Sequence, residues 1–377
     1  MKIANITEEG RGGGPLFGML TTAIDLKSVG VNSTIIFPYF GSEKFKVKLD
    51  ANGIDYRQLR LHHLTKYAPH LIKYCFWFFV EIIMLVRLFR KENYDIVLCH
   101  GSWQIKGIIA AKLTGIPSIW HMNDSQQPNA VKKLFKVFSG LPSAYLFASN
   151  KSREYYSDIN KNILSKPNQV IQSPINIERF TQPKSDPTEL QSSQAIKLIT
   201  VSYLNANKNV ELIIQALVKL QEQGIKNIEL YIVGPILESQ ASYKSELDAI
   251  IESGELNTIH FLGYRTDIPE LLRDADVYIC SSNFESSPIA VWEAMVSGTM
   301  VITTEVGDVL EIVRENEAGI VTDTGNVGQM ADAIKGALDS DQRNRYSLRG
   351  KQIATQFFES KEIANQIKQF SRDVISA

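Results

Sequence analysis

The chain has 377 residues, 44% of them hydrophobic and 21% charged, which places it inside the globular range and makes it long enough for two cores. Net charge is −1 but unevenly divided: residues 1–178 carry 22 Lys/Arg against 13 Asp/Glu, and residues 179–377 carry 18 against 28. Cys75, Cys99 and Cys280 are odd in number and far apart, which excludes a disulfide framework or a metal-binding spacing and points to a reducing compartment.

A basic half meets nucleic acid, an anionic membrane surface or a phosphorylated ligand, and composition does not choose among them. The opening MKIANITEEG has one Lys and no apolar run, so no secretory signal is expected and the chain is placed in the cytoplasm. From there short β-rich runs alternate with helical periods: KIANI, a Gly-rich turn and a helix, then TIIFP, DIVLC with a helix through Lys112, SIWHM and AYLFA. The most apolar stretch, residues 74–89, is interrupted by Glu81 and Arg87 and is shorter than the ~20 residues a spanning helix needs, so it reads as a helix and not a membrane span. A second series follows: KLITVS, a helix over 209–222, IELYIVG, a helix over 243–252, IHFLG, VYICS, a helix over 288–297, MVITT and a helix over 308–315. This rhythm is that of parallel sheets wrapped by helices, an α/β protein of two domains.

The polar, Pro/Ser-rich stretch 181–194 separates the two series. The expected organisation is therefore a first domain over 1–178, a linker over 179–194, a second domain over 195–355, and a C-terminal helix over 356–377 that can return to the first domain. In such sheets ligands collect at the carboxyl ends of strands.

Residues 277–304, VYICSSNFESSPIAVWEAMVSGTMVITT, read as strand, loop, helix, a Gly298 stop and strand. Ser287 is placed as N-cap and Pro288 as the first helical residue, because Pro has no N–H to lose there. Glu285 and Ser286 then lie at a helix N-terminus, where free N–H groups and the helix dipole favour a phosphate. Glu293 has Ile289, Ala290, Val296 and Ser297 as its i±3 and i±4 neighbours, and a carboxylate on such an apolar face needs a partner; sugar hydroxyls would serve. A capping or salt-bridged glutamate is the plain alternative.

The spacing E-x7-E from Glu285 to Glu293, inside SSNFESSPIAVWEAMVSGTMVITTEVGDVLEIV, resembles the signature of the retaining glycosyltransferases of family four, which have the GT-B fold. GGGP at 12–15, WHMND at 120–124, ASNKS at 148–152, SPINIERF at 173–180, LNANKN at 204–209, LYIVGP at 230–235 and FLGYRTDIPELL at 261–272 follow in the family's order. The resemblance implies two Rossmann-like domains facing across a cleft, an acceptor-binding one and a nucleotide-sugar-binding one. It implies a hexosyltransferase-type enzyme that moves a sugar with retention onto a glycan or lipid-linked acceptor, as in cell-envelope polysaccharide biosynthesis. Neither cofactor nor metal is expected, because the UDP- or GDP-linked donor is itself a substrate.

Carried over by position, Glu293 binds the ribose hydroxyls and Glu285 the donor sugar. Ser286, Ser287, Pro288 and Ile289 form the donor-binding loop, whose amides, Pro288 apart, meet the diphosphate, and Lys208 adds a charge-assisted donor. His121, ending SIWHM, takes the place of the family's catalytic-side histidine. Gly13 and Gly14 form a turn close enough for backbone to meet a phosphate, with Gly12, Asp124 and His100 as acceptor-side candidates. One position departs: where the family has an Arg before the Leu, this chain has Tyr203 before Leu204, a hydroxyl or stacking group without charge.

GGGP is not a G-x-G-x-x-G fingerprint, so a dehydrogenase reading loses its main support. The glutamates lie on one wall, unlike the opposed carboxylates of glycosidases. Helical run 70–91 mixes aromatic and basic side chains and suits either a core helix or peripheral contact with an anionic membrane on the cytoplasmic face; VKKLFKVF at 131–138 repeats the mix. No nucleic-acid partner is expected. The rival readings are a sugar-nucleotide epimerase of the same fold and a catalytically silent sugar-nucleotide-binding subunit.

Overall fold

The computed structural model describes residues 1–10, 14–64, 68–182, 188–192 and 194–377. The chain forms two compact units: unit 1 comprises Met1–Ile175 and Glu359–Ala377, and unit 2 comprises Asn176–Phe358.

Unit 1 runs β1 (Lys2–Ile6), α1 (Gly14–Ser28), β2 (Asn32–Pro38), α2 (Glu43–Ala51), β3 (Tyr56–Leu59), α3 (Ala68–Glu92), β4 (Ile96–His100), α4 (Ile105–Thr114), β5 (Ser118–Met122), α5 (Asn129–Phe138), β6 (Ala144–Phe147), α6 (Asn150–Ile159) and β7 (Asn168–Val170). Its seven strands are ordered β3-β2-β1-β4-β5-β6-β7, and every pairing is parallel. Alternate residues face opposite sides, as the strand period of two requires. Ala4, Ile6, Val97, Cys99 and Trp120 pack with Ile82, Leu85 and Phe89 of α3 and with Ile108 of α4. Ile3, Ile96, Leu98 and Ile119 pack instead with Leu26 of α1 and with the last helix of the chain.

Unit 2 runs α7 (Ile177–Thr181), β8 (Ile196–Val201), α8 (Val210–Glu222), β9 (Ile228–Val233), α9 (Ala241–Ser253), β10 (Ile259–Gly263), α10 (Ile268–Asp274), β11 (Val277–Cys280), α11 (Ile289–Ser297), β12 (Met300–Thr304), β13 (Ile320–Thr322), α12 (Val327–Gly336) and α13 (Ser340–Phe357). Its six parallel strands are ordered β10-β9-β8-β11-β12-β13. The helix expected over 308–315 is a single π-helical turn, Leu310–Arg314. Described residues of the expected linker belong to unit 2: Leu190 is buried, and Thr188 Oγ1 donates to Asp274 Oδ2 at 2.6 Å.

The polar C-terminal run breaks at Phe358, whose buried ring stacks on Trp292 at 4.8 Å. Beyond it, α14 (Ser360–Ser376) belongs to unit 1 and buries Ile363, Ile367, Phe370 and Val374 there. Each such side chain is worth about 1.5–3 kcal/mol of burial, so the amphipathic period that marks this helix in the sequence is also what holds it. No helix of the described residues is long and apolar enough to cross a membrane.

Both strand orders reverse at one place, between β1 and β4 in unit 1 and between β8 and β11 in unit 2. At such a switch point neighbouring loops part to opposite faces, leaving a crevice beyond the carboxyl ends of the strands.

Candidate functional site

In unit 2 the switch point is flanked by the loop after β8, residues 202–209, and the loop after β11, residues 281–288. The two are laced together. Asn207 Nδ2 donates to Phe284 O at 3.0 Å, Asn283 N to Asn207 O at 2.8 Å, Asn283 Nδ2 to Ala206 O at 3.1 Å, and Ser281 Oγ to Lys208 O at 2.8 Å. Asn209 adopts φ 48°, the left-handed region in which Asn is tolerated, and sends its Nδ2 to Asn283 Oδ1 at 3.2 Å.

This scaffold brings Lys208 and Glu285 together across 77 residues of sequence: Lys208 Nζ is bonded to Glu285 Oε1, and Ser282 Oγ donates to the same oxygen at 2.9 Å. Burial works against the Lys208 ammonium, but the charge of Glu285 and the bond to it outweigh burial, and the Lys208 pKa is raised. A lysine so held stays protonated at any physiological pH.

Glu293 lies on α11, one turn and more beyond the loop. Its carboxylate has no hydrogen-bond or ion-pair partner among the described residues. Burial pushes its pKa up to about 7, against a smaller opposing pull from the charge of Arg179 on α7. Arg179 is a functional candidate that the sequence reading passed over; it lies in SPINIERF, and its Nη2 donates to Thr266 O at 3.0 Å.

The start of α11 differs from the sequence expectation. The helix begins at Ile289, Pro288 occupies the cap position, and Ser287 makes no cap. Ser287 Oγ instead accepts from Trp292 Nε1 at 3.2 Å, a bond that a buried indole requires and that draws the hydroxyl away from the helix end. Ser286 Oγ is buried and has no partner among the described residues, which leaves its hydroxyl free inside the loop.

Two glycines press other backbone onto these loops. Gly307 has φ 52°, and a Cβ there would lie 2.7 Å from Ser286 O and 2.9 Å from Pro288 Cδ; its N–H donates to Glu285 O at 3.1 Å. Gly234 has φ 147°, and a Cβ there would sit 1.8 Å from Ser202 O. Neither stands out locally in the sequence, because the close approach comes from a neighbouring strand end.

Tyr203 is 45% exposed at the end of β8. Arg265 and Arg273 do not replace the cation absent there. Arg265 is held by Asp267 and Glu189, and Arg273 by Glu270 and Phe180 O.

In unit 1, Gly12 and Gly13 lie outside the described residues, and Gly14 is the first residue of α1. His100 ends β4 and lies opposite His121 of β5 in the strand register. The two rings meet through their Nδ1 atoms at 3.1 Å, with centroids 5.1 Å apart. Burial lowers the His121 pKa to about 4; His100 is pushed well below the usual histidine value by burial and then by His121. Asp124 does not pair with either ring. Its oxygens receive Ser102 Oγ at 2.8 Å and the Tyr156 hydroxyl, and burial raises its pKa against those bonds. Asp124 therefore ties the loop after β4 to α6. Among the described residues, no three His, Cys, Asp or Glu side chains come together as metal ligands.

Residues 182–353 match the family model of glycosyl transferases group 1. The chain is 23% identical over 319 residues to the UDP-Gal:alpha-D-GlcNAc-diphosphoundecaprenol alpha-1,3-galactosyltransferase of Escherichia coli, covering 78% of this chain and 79% of that one. It is 24% identical over 289 residues to the N,N'-diacetylbacillosaminyl-diphospho-undecaprenol alpha-1,3-N-acetylgalactosaminyltransferase of Campylobacter jejuni, covering 70% and 73%. Among solved structures, HepE of Anabaena in complex with UDP and glucose superposes with a TM-score of 0.82 at 20% identity, over 99% of this chain and all of that one. At that identity the likeness bears on the fold, which is GT-B, two Rossmann-like domains.

Proposed function

We propose that the chain is a group 1 glycosyltransferase that moves a sugar from a UDP-linked donor onto a lipid-linked saccharide with retention of anomeric configuration. The observation that carries this reading is the set at the unit 2 switch point: a protonated Lys208 paired with Glu285, a free Ser286 hydroxyl, and a Glu293 carboxylate with nothing to accept from. A nucleoside diphosphate answers each of these needs. Two ribose hydroxyls donate to Glu293, and phosphate oxygens accept from Lys208, the Ser286 hydroxyl and the Ser287 amide. Glu285, steadied by Ser282, turns a carboxylate toward the sugar hydroxyls.

Bond breaking at the anomeric carbon loads negative charge onto the leaving diphosphate. Groups already aimed at that charge lower the barrier without reorganising. In this reading the charge is met by Lys208 and loop amides with no metal ion. The leaving phosphate oxygen takes the acceptor hydroxyl proton on the same face of the sugar, which gives retention. UDP as carrier and a polyprenol-linked acceptor are supported by the names of the two relatives above.

Unit 1 takes the acceptor and rests on the cytoplasmic face of the membrane. What supports this is α3, where Ile72, Phe76, Phe79 and Ile83, spaced i, i+4, i+7 and i+11 on one face, are all exposed, followed on that face by Arg87 and Arg90. A role in cell-envelope polysaccharide synthesis follows from that acceptor class.

Tyr203 favours a second reading, a subunit that binds the nucleotide sugar without turning it over, because one phosphate-binding charge of the family is absent. Product analysis with labelled UDP-sugars and a polyprenol-diphosphate saccharide separates the two. Transfer with a retained anomer supports the first reading, whereas saturable binding without product would establish the second.

A further inference from the structure

A single hydrogen-bonded chain crosses four neighbouring strands of unit 1 near its switch point. It starts on β2, where Ser33 Oγ accepts from Asn5 Nδ2 of β1 at 2.7 Å. Asn5 is 3% exposed, and its Oδ1 lies 2.9 Å from Nε2 of His100 on β4. The chain continues from His100 Nδ1 to His121 Nδ1 on β5 at 3.1 Å and ends at His121 Nε2, which is buried and has no partner among the described residues.

The protons in this chain follow from its first member. Because the Asn5 amide spends its Nδ2 on Ser33, its oxygen is what faces His100, and an oxygen without hydrogen can only accept. His100 therefore carries its proton on Nε2. Both rings are neutral at pH 7, since burial lowers both pKa values, and a neutral imidazole has one N–H. His100 Nδ1 is thus bare, and the contact with His121 Nδ1 is a hydrogen bond only if His121 supplies the proton.

We propose that Asn5 and His100 are positioning residues that hold His121 as its Nδ1–H tautomer, so that Nε2 presents a lone pair to a hydroxyl of the bound sugar substrate. A lone pair there accepts from an O–H and repels phosphate and carbonyl oxygens, so the position selects for a hydroxyl donor and against an acidic group. With its low basicity His121 orients that hydroxyl by hydrogen bonding and does not remove its proton. The identity of the ligand rests on the transferase reading above; the tautomer does not.

The test is nitrogen NMR of the full-length protein labelled at histidine, at pH 7 without ligand. The expected spectrum has His121 Nε2 in the unprotonated range and Nδ1 in the protonated range; the reverse assignment would overturn the proposal whatever the enzyme transfers. In Asn5→Leu, with an unchanged backbone amide spectrum, His121 is expected to shift toward a mixture of tautomers. An unshifted His121 would overturn the role of Asn5. If Asn5→Leu does not fold, Ser33→Ala, which frees the amide to rotate, is read in the same way. In a transfer assay the folded variant is expected to lose on the order of tenfold in kcat/KM, the worth of one misdirected hydrogen bond. A normal tautomer in the wild type with no activity on any sugar donor would leave the positioning intact and remove only the transferase reading.

Discussion

The two switch points are built from opposite chemistry. The unit 2 edge carries formal charge, with Lys208 clamped to Glu285 and a Glu293 carboxylate left without a partner among the described residues. The unit 1 edge holds its charges already bonded: Lys106 is paired with Glu8 and Glu81, Asp124 accepts from Ser102 and Tyr156, and the neutral Asn5, His100 and His121 bond to one another, with His121 Nε2 left free among the described residues. A charged, under-satisfied edge suits an anionic ligand that brings its own hydrogen-bond donors. An edge whose charges are already bonded and whose histidines are neutral suits a hydroxyl-rich ligand that must be oriented more than neutralised.

The harshest way to break this contrast is to remove the cation. Lys208→Met is expected to weaken UDP binding by about 100-fold, the scale of a charge-assisted hydrogen bond lost beside a carboxylate that is then unpaired. His121→Ala should leave the same titration within about twofold, because no charge is lost in unit 1, and calorimetry on both variants reads the contrast directly.

Gly307→Ala comes next. A Cβ at φ 52°, 2.7 Å from Ser286 O, is expected to cost about 1–3 kcal/mol of stability and lower the melting temperature while unit 1 keeps its amide spectrum.

Glu293 gives a prediction of sign. Its folded pKa, about 7, lies above the ordinary carboxylate value of 4.5, so the folded protein holds this proton more tightly than the unfolded chain. That contribution to stability is fully present below about pH 4.5 and is lost as pH rises through 7. Glu293→Gln should therefore melt at a higher temperature than the wild type at pH 8 and show little difference at pH 4.5, although it binds UDP more weakly. A wild type that equals or exceeds the variant at pH 8 would mean that the carboxylate already has a partner.

Two gentler changes sharpen the comparison. Tyr203→Arg returns a charge to the end of β8 and is expected to tighten UDP binding a few-fold. Phe76→Ser with Phe79→Ser, at positions 75% and 73% exposed, should leave stability nearly unchanged and reduce sedimentation with vesicles containing anionic lipid. Equal sedimentation of the double variant would remove α3 as the membrane-facing element.

What the sequence discloses of this molecule follows burial. β1, β4, β11 and β12 are almost wholly buried in their sheets and stand out as apolar runs. The half-buried edge strands β3 and β7, YRQL and NQV, lack such a run and give no local signal. Residues 308–315 carry a helical apolar period, but only one π turn forms before the chain enters β13.

The candidate site divides in the same way. Glu285 and Glu293 are legible because each is an unusual residue in a readable local context, whereas Lys208, one lysine in a polar loop, is singled out only by the family resemblance of LNANKN. The Ser287 cap is misread because Trp292, five residues on, competes for its hydroxyl. The Asn5–His100–His121 chain is invisible in the sequence, since its members are 95 and 21 residues apart and meet only through strand register. Arg179 escapes notice for a similar reason, as its charge reaches Glu293 by the packing of α7 near α11.

The claim that the unit 2 edge holds a nucleoside diphosphate is tested most directly by calorimetric titration of the full chain with UDP at pH 6 and pH 8, in buffers of different ionisation enthalpy. Because Glu293 must give up its proton before both its oxygens can accept from the two ribose hydroxyls, saturable binding is predicted that is tighter at pH 8 and releases a proton at pH 6, with both effects absent in Glu293→Gln. Binding that is independent of pH, or that is unchanged in Glu293→Gln, would contradict it.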